Sequence, residues 1–247
     1  MNILVVNDDG INAEGIKILT EKLLKYGNVY VLAPDKERSA ASHSINIVSP
    51  LLIEEVKPIV KGCKCYKTDG TPVDCVRLAN GGLGLDFDIV FSGINYGLNI
   101  GTDIIYSGTC AAAREAYIEG LAAVAISCDR RFDIVKEEID DILNLIFNDK
   151  LYSKDYYLNI NFPIHDYQRS KGIKFTKMGK KRFKTTYMKN DKGFYEVIKD
   201  EILYDVDLDT DAYLSLNGYT TITFLDANLN YKKWECIKFS FFIFLLK

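Results

Sequence analysis

The chain has 247 residues, of which 48% are hydrophobic and 26% are charged, and its formal net charge is -3 at pH 7. This length fits one large domain, or one domain with a smaller companion, and it allows a substantial hydrophobic core. The slight acidity argues against a protein that binds long nucleic acid, which normally carries a basic excess, whereas a small anionic ligand needs only a local site.

Up to about residue 149, short apolar strands alternate with helices. Apolar runs predict strands at residues 3–6, 29–33, 88–91 and 122–127. Helical spacing of apolar residues, or a high alanine content, predicts helices at residues 13–26, 73–80, 108–119 and 134–147. This alternation predicts an α/β fold with a mostly parallel sheet, and strands that are apolar throughout suit a sheet covered on both faces.

The pattern changes in the C-terminal part of the chain. Residues 157–162 predict a last sheet strand, and the basic, aromatic stretch 174–198, with its turn cluster at 190–193, predicts a β-hairpin standing away from the sheet. Residues 211–225 predict another helix or a strand pair. The apolar tail at 239–246 is far shorter than the ~20 residues that span a bilayer. We therefore expect no membrane association, and interpret the tail as a core strand or a segment docked on another subunit.

The cysteines and the start of the chain indicate a cytoplasmic protein. The chain begins directly with a strand and shows no signal-peptide pattern, so we expect reduced thiols in the cytosol. Cys63 and Cys65 have a spacing that could hint at zinc, but no second Cys/His pair with ligand spacing follows, which favours ordinary thiols. The cysteines are scattered along the chain: Cys63, Cys65, Cys75, Cys110, Cys128 and Cys236.

Oxygen-bearing side chains follow three of the predicted strands. Asp8 and Asp9 end the first strand, Ser39 lies in the loop after the second, and Asn95 follows the central strand. Ligands of open α/β sheets bind at the carboxyl ends of the strands, so these loops can converge. Two adjacent carboxylates repel each other, and Mg²⁺ or Mn²⁺ would relieve that repulsion with oxygen ligands. The alternative, in which Asp9 belongs to a turn and Asp8 caps a helix, stays open at this point.

A second candidate site precedes the alanine-rich helix. Ser107, Gly108 and Thr109 combine two hydroxyls with free N–H groups at a helix start, which favours an anion-binding turn. Simple N-capping by Ser107 explains the same residues. The neighbouring glycines match neither a P-loop nor a dinucleotide fingerprint. His43, near Ser39, either contacts substrate or makes local hydrogen bonds.

Six stretches resemble one known family. They are ILVVNDDGINAEGI (3–16), APDKERSAASHSI (33–45), TDGTPVDCVRLA (68–79), DIVFSGINYGLNIGTDIIYSGTCAAAREA (88–116), LNINFP (158–163) and DTDAYLSLNGYTTITFL (209–225). In this order they are similar to the SurE family, the stationary-phase survival protein E group of metal-dependent nucleotidases. The resemblance implies a Rossmann-like three-layer α/β/α core at residues 1–165. It also implies a C-terminal region at 166–247 that carries the hairpin, serves oligomerisation and partly returns to the core.

The same resemblance implies an activity and a site. The expected reaction is hydrolysis of nucleoside 5′- and 3′-monophosphates, with one Mg²⁺ or Mn²⁺ per subunit and a homodimer or homotetramer. The implied metal ligands are Asp8, Asp9, Ser39 and Asn95; Asp8 and Asp9 are also the catalytic pair; and Asn95, Ser107, Gly108 and Thr109 contact phosphate. Alternatives are a phosphatase for another small phosphate ester or short polyphosphate, or a non-catalytic nucleotide-binding protein. The sequence departs from the family at Ala40, where glycine is usual, at Leu121-Ala122, which replaces Ile-Pro, and in its phenylalanine-rich tail.

Overall fold

The computed structural model describes residues 1–204 and 207–228, which form a three-layer α/β structure and a separate hairpin. The strands are β1 (Asn2–Val6), β2 (Asn28–Pro34), β3 (Ile53–Val56), β4 (Lys64–Thr68), β5 (Ile89–Tyr96), β6 (Ala122–Cys128), β7 (Tyr157–Asn161), β8 (Ile173–Thr176), β9 (Lys181–Lys189), β10 (Tyr195–Tyr204) and β11 (Thr220–Leu225). The helices are α1 (Glu14–Leu23), α2 (Pro72–Gly82), α3 (Asp103–Tyr106), α4 (Gly108–Ile118), α5 (Phe132–Phe147) and α6 (Asp211–Leu216).

Nine of these strands form one sheet in the order β3-β4-β2-β1-β5-β6-β7-β11-β8. The central run from β4 to β7 is parallel throughout, whereas β3 and β11 run antiparallel to β4 and β7. The predicted α/β class and the mostly parallel sheet are confirmed. The sequence analysis missed β3, β4 and β8, which are short and lie at or near the two edges.

Helices cover both faces of the sheet because the central strands are apolar on both sides. In β1, Ile3 and Val5 belong to the core cluster that includes residues of α1 and α5, whereas Leu4 and Val6 belong to the cluster that includes residues of α2 and α4. Every residue of β6 is buried, as expected for a strand in the middle layer. The four long helices predicted from the sequence are all present, with ends that differ from the predictions by a few residues.

The C-terminal part divides between the main sheet and the hairpin. Strands β9 and β10 pair antiparallel around a turn closed by Asn190, whose backbone N–H donates to the Phe194 carbonyl at 2.8 Å. The predicted hairpin is therefore present, but its bounds differ from the prediction. Residues 174–176 belong to β8 in the main sheet, and the second strand of the hairpin, β10, extends to Tyr204. The predicted strand at 157–162 is β7, and residues 211–225 form α6 followed by β11. The apolar tail at 239–246 and Cys236 lie outside the described residues.

The helices and the cysteines bear on the expectations about membrane association and free thiols. Across the two described ranges, no helix combines the length and the apolar character needed to cross a membrane. The other five cysteines are buried free thiols, and the Cys63 and Cys65 sulfurs lie 3.3 Å apart.

Candidate metal and phosphate site

A crevice of about 380 Å³ opens at the carboxyl ends of the central strands. The loops after β1, β2 and β5 and the start of α4 surround it, which is where ligands bind in open α/β sheets. Five residues that the sequence analysis proposed, on four separate segments, meet there. The lining comprises Asp8, Asp9, Glu37, Ser39, Ala40, Asn95, Tyr96, Leu98, Asn99, Asp103, Tyr106 and Ser107.

The turn after β1 presents the two aspartates to the crevice. Asn7 is fully buried and closes this turn: its amide donates to the Gly10 carbonyl at 2.9 Å and accepts from the Gly10 N–H at 3.2 Å. The Asp8 carbonyl accepts the Arg38 N–H at 2.8 Å, so the turn is joined to the loop after β2. The Asp8 side chain accepts the Thr109 hydroxyl and is only 4% exposed, whereas Asp9 is partly buried.

The two carboxylates have raised pKa values. Burial is the largest cause of the raised pKa of Asp8, which the hydrogen bond from Thr109 partly offsets. Burial and the neighbouring Asp8 charge raise the pKa of Asp9 from 3.8 to about 6. Among the described residues, no lysine, arginine or histidine forms an ion pair with either carboxylate. Asp8 and Asp9 therefore form an electronegative pair that no cation of the described residues compensates.

Ser39 and Asn95 contribute neutral oxygens. The Ser39 hydroxyl is exposed and donates to Glu37 Oε1 at 2.5 Å. The Asn95 amide nitrogen donates to the Gly97 carbonyl at 2.7 Å, which leaves the amide oxygen as the group that can bind a cation. Ala40, in the position where the family usually has glycine, adopts a left-handed backbone with a φ of 54°. This is the conformation that glycine adopts at least cost.

The turn before α4 packs directly on the aspartate turn. Ser107 caps the helix, since its Oγ accepts the Cys110 N–H at 3.0 Å, and it also lines the crevice. A Cβ at Gly108 would lie 3.0 Å from the Asp8 Cβ and 3.1 Å from its Oδ2, so glycine allows the close approach of the two turns. Thr109 is fully buried and its hydroxyl is used by Asp8. Gly108 and Thr109 thus lie behind the crevice lining, and their contact with phosphate stays a prediction.

His43 lies outside the crevice lining, in a hydrogen-bonded cluster behind it. Arg114 Nε donates to His43 Nδ1 at 3.0 Å, and His43 Nε2 lies 2.7 Å from Glu115 Oε2. Because an arginine can only donate, the imidazole proton is assigned to Nε2, from which it is donated to Glu115. Arg77 Nη1 donates to the other Glu115 oxygen at 2.9 Å. Of the two interpretations of His43, the structure supports local hydrogen bonding.

The donors in the crevice suit a hard divalent cation. Within residues 1–204 and 207–228, no group of three or more His, Cys, Asp or Glu side chains is arranged to hold a metal. The candidate set instead mixes the carboxylates of Asp8 and Asp9 with the Asn95 amide oxygen and the Ser39 hydroxyl. Such all-oxygen sets, completed by water, are typical of Mg²⁺ and Mn²⁺, and burial raises the pKa of both carboxylates, which have no ion pair among the described residues.

Sequence reasoning missed several residues of the crevice. Glu37 accepts the hydrogen bond from Ser39, and its charge raises the pKa of both aspartates. The sequence signal for Glu37 was its position two residues before Ser39. Asp103 and Tyr106 enter from α3, a single short helix that no periodicity reveals. The remaining lining residues lie in the glycine-rich stretch after the central strand, and none of them was singled out as a site residue: Tyr96, Leu98 and Asn99.

Comparison with known proteins gives one consistent family. The family model described as "Survival protein SurE" matches residues 3–185. Two Clostridium botulinum proteins named "5'-nucleotidase SurE" are 40% and 41% identical to this chain, covering 96% and 93% of it and 98% and 94% of their own lengths. The crystal structure of the SurE protein from Aquifex aeolicus matches with a TM-score of 0.80 and 34% identity, over 97% of this chain and 99% of that one.

Proposed function

The chain belongs to the survival protein SurE family, and we propose that it is a 5′-nucleotidase that hydrolyses nucleoside 5′- and 3′-monophosphates with the help of a divalent cation. One observation carries the proposal. Two carboxylates without an ion pair among the described residues, the buried Asp8 and the partly buried Asp9, line the same crevice as Ser107 at the N-terminus of α4. A cation would compensate the two carboxylates, and the phosphate of a monoester would supply the negative charge that the N-terminus of α4 attracts.

Asp8, Asp9, Ser39 and Asn95 are the residues that would hold Mg²⁺ or Mn²⁺, one per subunit. When bound, the cation would supply Lewis-acid polarisation of a phosphoryl oxygen. The protein contributes the orientation of these ligands: Asn7 closes the aspartate turn, Thr109 holds one oxygen of Asp8, and Gly97 fixes the Asn95 amide. Asp8 and Asp9 also line the crevice as carboxylates, and we assign acceptance of a proton from the attacking water to this pair.

The start of α4 would hold the phosphate. Ser107 lines the crevice, and the first N–H groups of α4 carry the partial positive charge of the helix dipole. Asn95 also lines the crevice, and we propose that it binds both the cation and a phosphoryl oxygen. Gly108 allows the helix start to approach Asp8, and Thr109 fixes that approach through its hydroxyl. These groups would stabilise the charge that develops on the phosphoryl oxygens during hydrolysis.

The decisive experiment is phosphate release from a panel of monophosphates by the purified chain. The panel contains nucleoside 5′- and 3′-monophosphates, sugar phosphates and short polyphosphate, each with Mg²⁺, Mn²⁺ or EDTA. We expect release from the nucleotides with metal and a loss of activity in EDTA. Preferential release from a sugar phosphate or polyphosphate would identify a different phosphatase. Nucleotide binding that survives EDTA, with no release from any ester, would identify a binding protein and refute the enzyme.

The hairpin supports a proposal about assembly. Strands β9 and β10 are mostly exposed and carry large apolar side chains on a two-stranded sheet, including Phe183, Tyr187, Tyr195 and Ile202. A two-stranded hairpin with exposed apolar groups gains stability when it packs on another surface. We therefore propose a homodimer or homotetramer in which the hairpin contacts another copy, which analytical ultracentrifugation of a chain lacking residues 181–204 would test. The unpaired thiols of the described residues support a cytoplasmic location.

A further inference from the structure

A buried carboxylate outside the candidate metal site joins two distant segments. Asp211, the first residue of α6, is fully buried. Its Oδ2 accepts the Gly101 N–H at 2.9 Å, and its Oδ1 accepts the N–H groups of Gly179 and Ala212, both at 2.7 Å. Burial raises the pKa of Asp211, and the three N–H groups oppose that rise. A buried carboxylate is costly unless its oxygens are satisfied, so the bonds to these donors account for an acid at this position.

The two glycines show how closely the segments approach each other. Gly101 lies in the crevice segment, which we define as residues 97–107, and Gly179 lies just before the hairpin. A Cβ on Gly101, whose φ is 54°, would lie 3.2 Å from both the Gly179 carbonyl oxygen and the Lys181 nitrogen. A Cβ on Gly179 would lie 3.1 Å from Asp211 Oδ1. The backbones are therefore in direct contact, with the Asp211 carboxylate between their N–H groups.

A second pair of contacts reinforces the connection. The Lys181 ammonium, with a side chain only 13% exposed, forms an ion pair with Asp103 of α3. The Lys181 carbonyl accepts the Thr102 hydroxyl. A lysine is seldom this buried unless it is paired. Lys181, the first residue of β9, is therefore held against the crevice segment by its ion pair. Thr102 and Asp103 are thus bonded directly to the root of the hairpin, and Gly101 is joined to it through Asp211.

The crevice segment supplies a large part of the crevice wall. Leu98, Asn99, Asp103, Tyr106 and Ser107 all line it, and Ser107 leads directly into α4. Its other side is held by buried amides from β7, because Asn159 and Asn161 donate to the Asn99 carbonyl at 2.8 and 3.0 Å. The segment is therefore fixed by the core on one side and by Asp211 on the other.

We propose that Asp211 is a positioning residue, which through Gly101 and Gly179 ties the hairpin root to the crevice segment and so places Ser107 and the start of α4 for the phosphate. This inference rests on the proposed nucleotidase function. It extends that function because it makes the geometry of the crevice depend on the part of the chain that carries the exposed hairpin.

The test compares Asp211→Asn with Asp209→Asn, the same change at an exposed acid two residues earlier whose carboxylate forms a surface ion pair with Lys177. An asparagine presents one acceptor oxygen, so its NH₂ group would face the N–H of either Gly101 or Gly179. Both variants are assayed in the full chain for kcat and KM with a nucleoside monophosphate and saturating Mg²⁺. Amide hydrogen exchange is followed over residues 97–107, and the melting temperature is recorded.

We expect Asp211→Asn to lower kcat by roughly tenfold to a hundredfold, the range that a small misplacement of reacting groups produces, with a smaller rise in KM. Exchange over 97–107 should accelerate, whereas Asp209→Asn should change neither quantity. A merely structural role predicts a lower melting temperature with unchanged kcat well below it, and that result, or unchanged exchange, would overturn the proposal.

Two further outcomes are distinguishable. If Asp211→Asn does not fold, Lys181→Met removes the ion pair with Asp103 and keeps the buried carboxylate; wild-type kcat and wild-type exchange over 97–107 in that variant would refute the connection. If the wild-type chain releases no phosphate, the proposed function fails, and exchange over 97–107 alone decides whether Asp211 holds the segment. If the wild type and Asp209→Asn are active and Asp211→Asn equals them, only the inference about Asp211 fails.

Discussion

The two ends of α4 contact two buried carboxylate clusters that differ in one respect. At its start, Thr109 donates to Asp8, next to Asp9, and among the described residues no basic side chain forms an ion pair with either acid. Near its end, Glu115 is also buried, but it lies between His43 and Arg77. The bond from His43 and then that from Arg77 lower the pKa of Glu115, whereas burial raises the pKa of Asp8 and Asp9.

This difference separates a structural cluster from a functional one on physical grounds. Burial of a carboxylate costs free energy in both places, and the cost is offset where the protein supplies cations. The Glu115 cluster is complete because its two oxygens accept from two basic side chains. The aspartate pair is incomplete, which is the pattern expected where an external cation and an anionic substrate provide the missing charge. Exchanging one acid for its amide should therefore lower turnover but not stability at the aspartate pair, and lower stability but not turnover at Glu115.

The largest effect is expected from Asp8→Asn. Loss of a charged ligand removes several kcal/mol of transition-state stabilisation, so kcat should fall by roughly a thousandfold. In EDTA the same variant should melt at a higher temperature than the wild type, because an uncompensated buried charge has been removed. Phosphate release and calorimetry measure the two quantities. Retained wild-type turnover in a folded Asp8→Asn protein would refute the assignment of the metal site.

Thr109→Val addresses the support of that ligand. The valine keeps the shape of the buried side chain but removes the hydroxyl that donates to Asp8. Loss of such a supporting bond typically costs tenfold to a hundredfold in metal affinity, so the Kd for Mn²⁺ should rise by about tenfold. Titration calorimetry with Mn²⁺ measures this change.

The chain offers a matched control for the threonine variant. Thr20 in α1 is also fully buried, and its hydroxyl has no hydrogen-bond partner within the described part of the chain. Thr20→Val should therefore leave the Mn²⁺ affinity unchanged. Equal Kd values for both variants would show that the Thr109 hydroxyl does not orient Asp8.

Glu115→Gln should reverse the pattern of Asp8→Asn. It leaves His43 and Arg77 without their charged partner, and we expect the free energy of unfolding to fall by about 1.5–3 kcal/mol, the usual worth of a hydrogen bond to a charged group. Turnover per folded molecule should stay within about threefold of the wild type, because changes outside the site act mainly on stability. Urea unfolding and kcat measured on the same sample separate the two effects. A thousandfold loss of kcat would place Glu115 in the catalytic machinery.

The sequence was most informative where local rules decide the structure. Asp8, Asp9, Ser39 and Asn95 follow apolar strands, and the rule for the carboxyl ends of parallel strands brings them to one crevice, as the structure does. The interior strands were predicted for the same reason, since a β-strand covered on both faces is apolar throughout. The edge strand β3 was missed because two of its four residues are exposed glutamates that give no such pattern.

What the sequence could not predict depends on contacts between distant residues. The bond between Asp211 and Gly101 spans 110 positions, and that between Thr109 and Asp8 spans 101. No periodicity or spacing encodes these partners. Thr109 was therefore predicted to contact phosphate, and its hydrogen bond to Asp8 was not foreseen. His43 illustrates the same limit, because its partners Arg114 and Glu115 lie on a helix more than seventy residues later in the chain.

The smallest expected effect is a difference in pH dependence, and it tests the comparison most directly. In the metal-free protein Asp9 has a pKa of about 6, against 3.8 for an unperturbed aspartate. Between these values the folded state binds more protons than the unfolded state, so the contribution of Asp9 to stability declines as the pH rises through this window. Asp9→Asn should thus be increasingly more stable than the wild type from about pH 4 to about pH 6, with no further gain above.

Glu115 should show the opposite sign in the same experiment. Its pKa lies below 4.5, so its stabilising contribution is fully present above that value and is lost as the pH falls through the pKa of the folded state. Urea unfolding in EDTA of the wild type, Asp9→Asn and Glu115→Gln from about pH 3 to about pH 7 covers both windows and gives both difference curves. Saturating Mg²⁺ should abolish the advantage of Asp9→Asn, because a cation that binds only the folded wild type stabilises it, and should leave the Glu115→Gln curve unchanged. Curves of the same sign would mean that the two clusters do not differ in charge compensation, and the proposed cation site would lose its electrostatic basis.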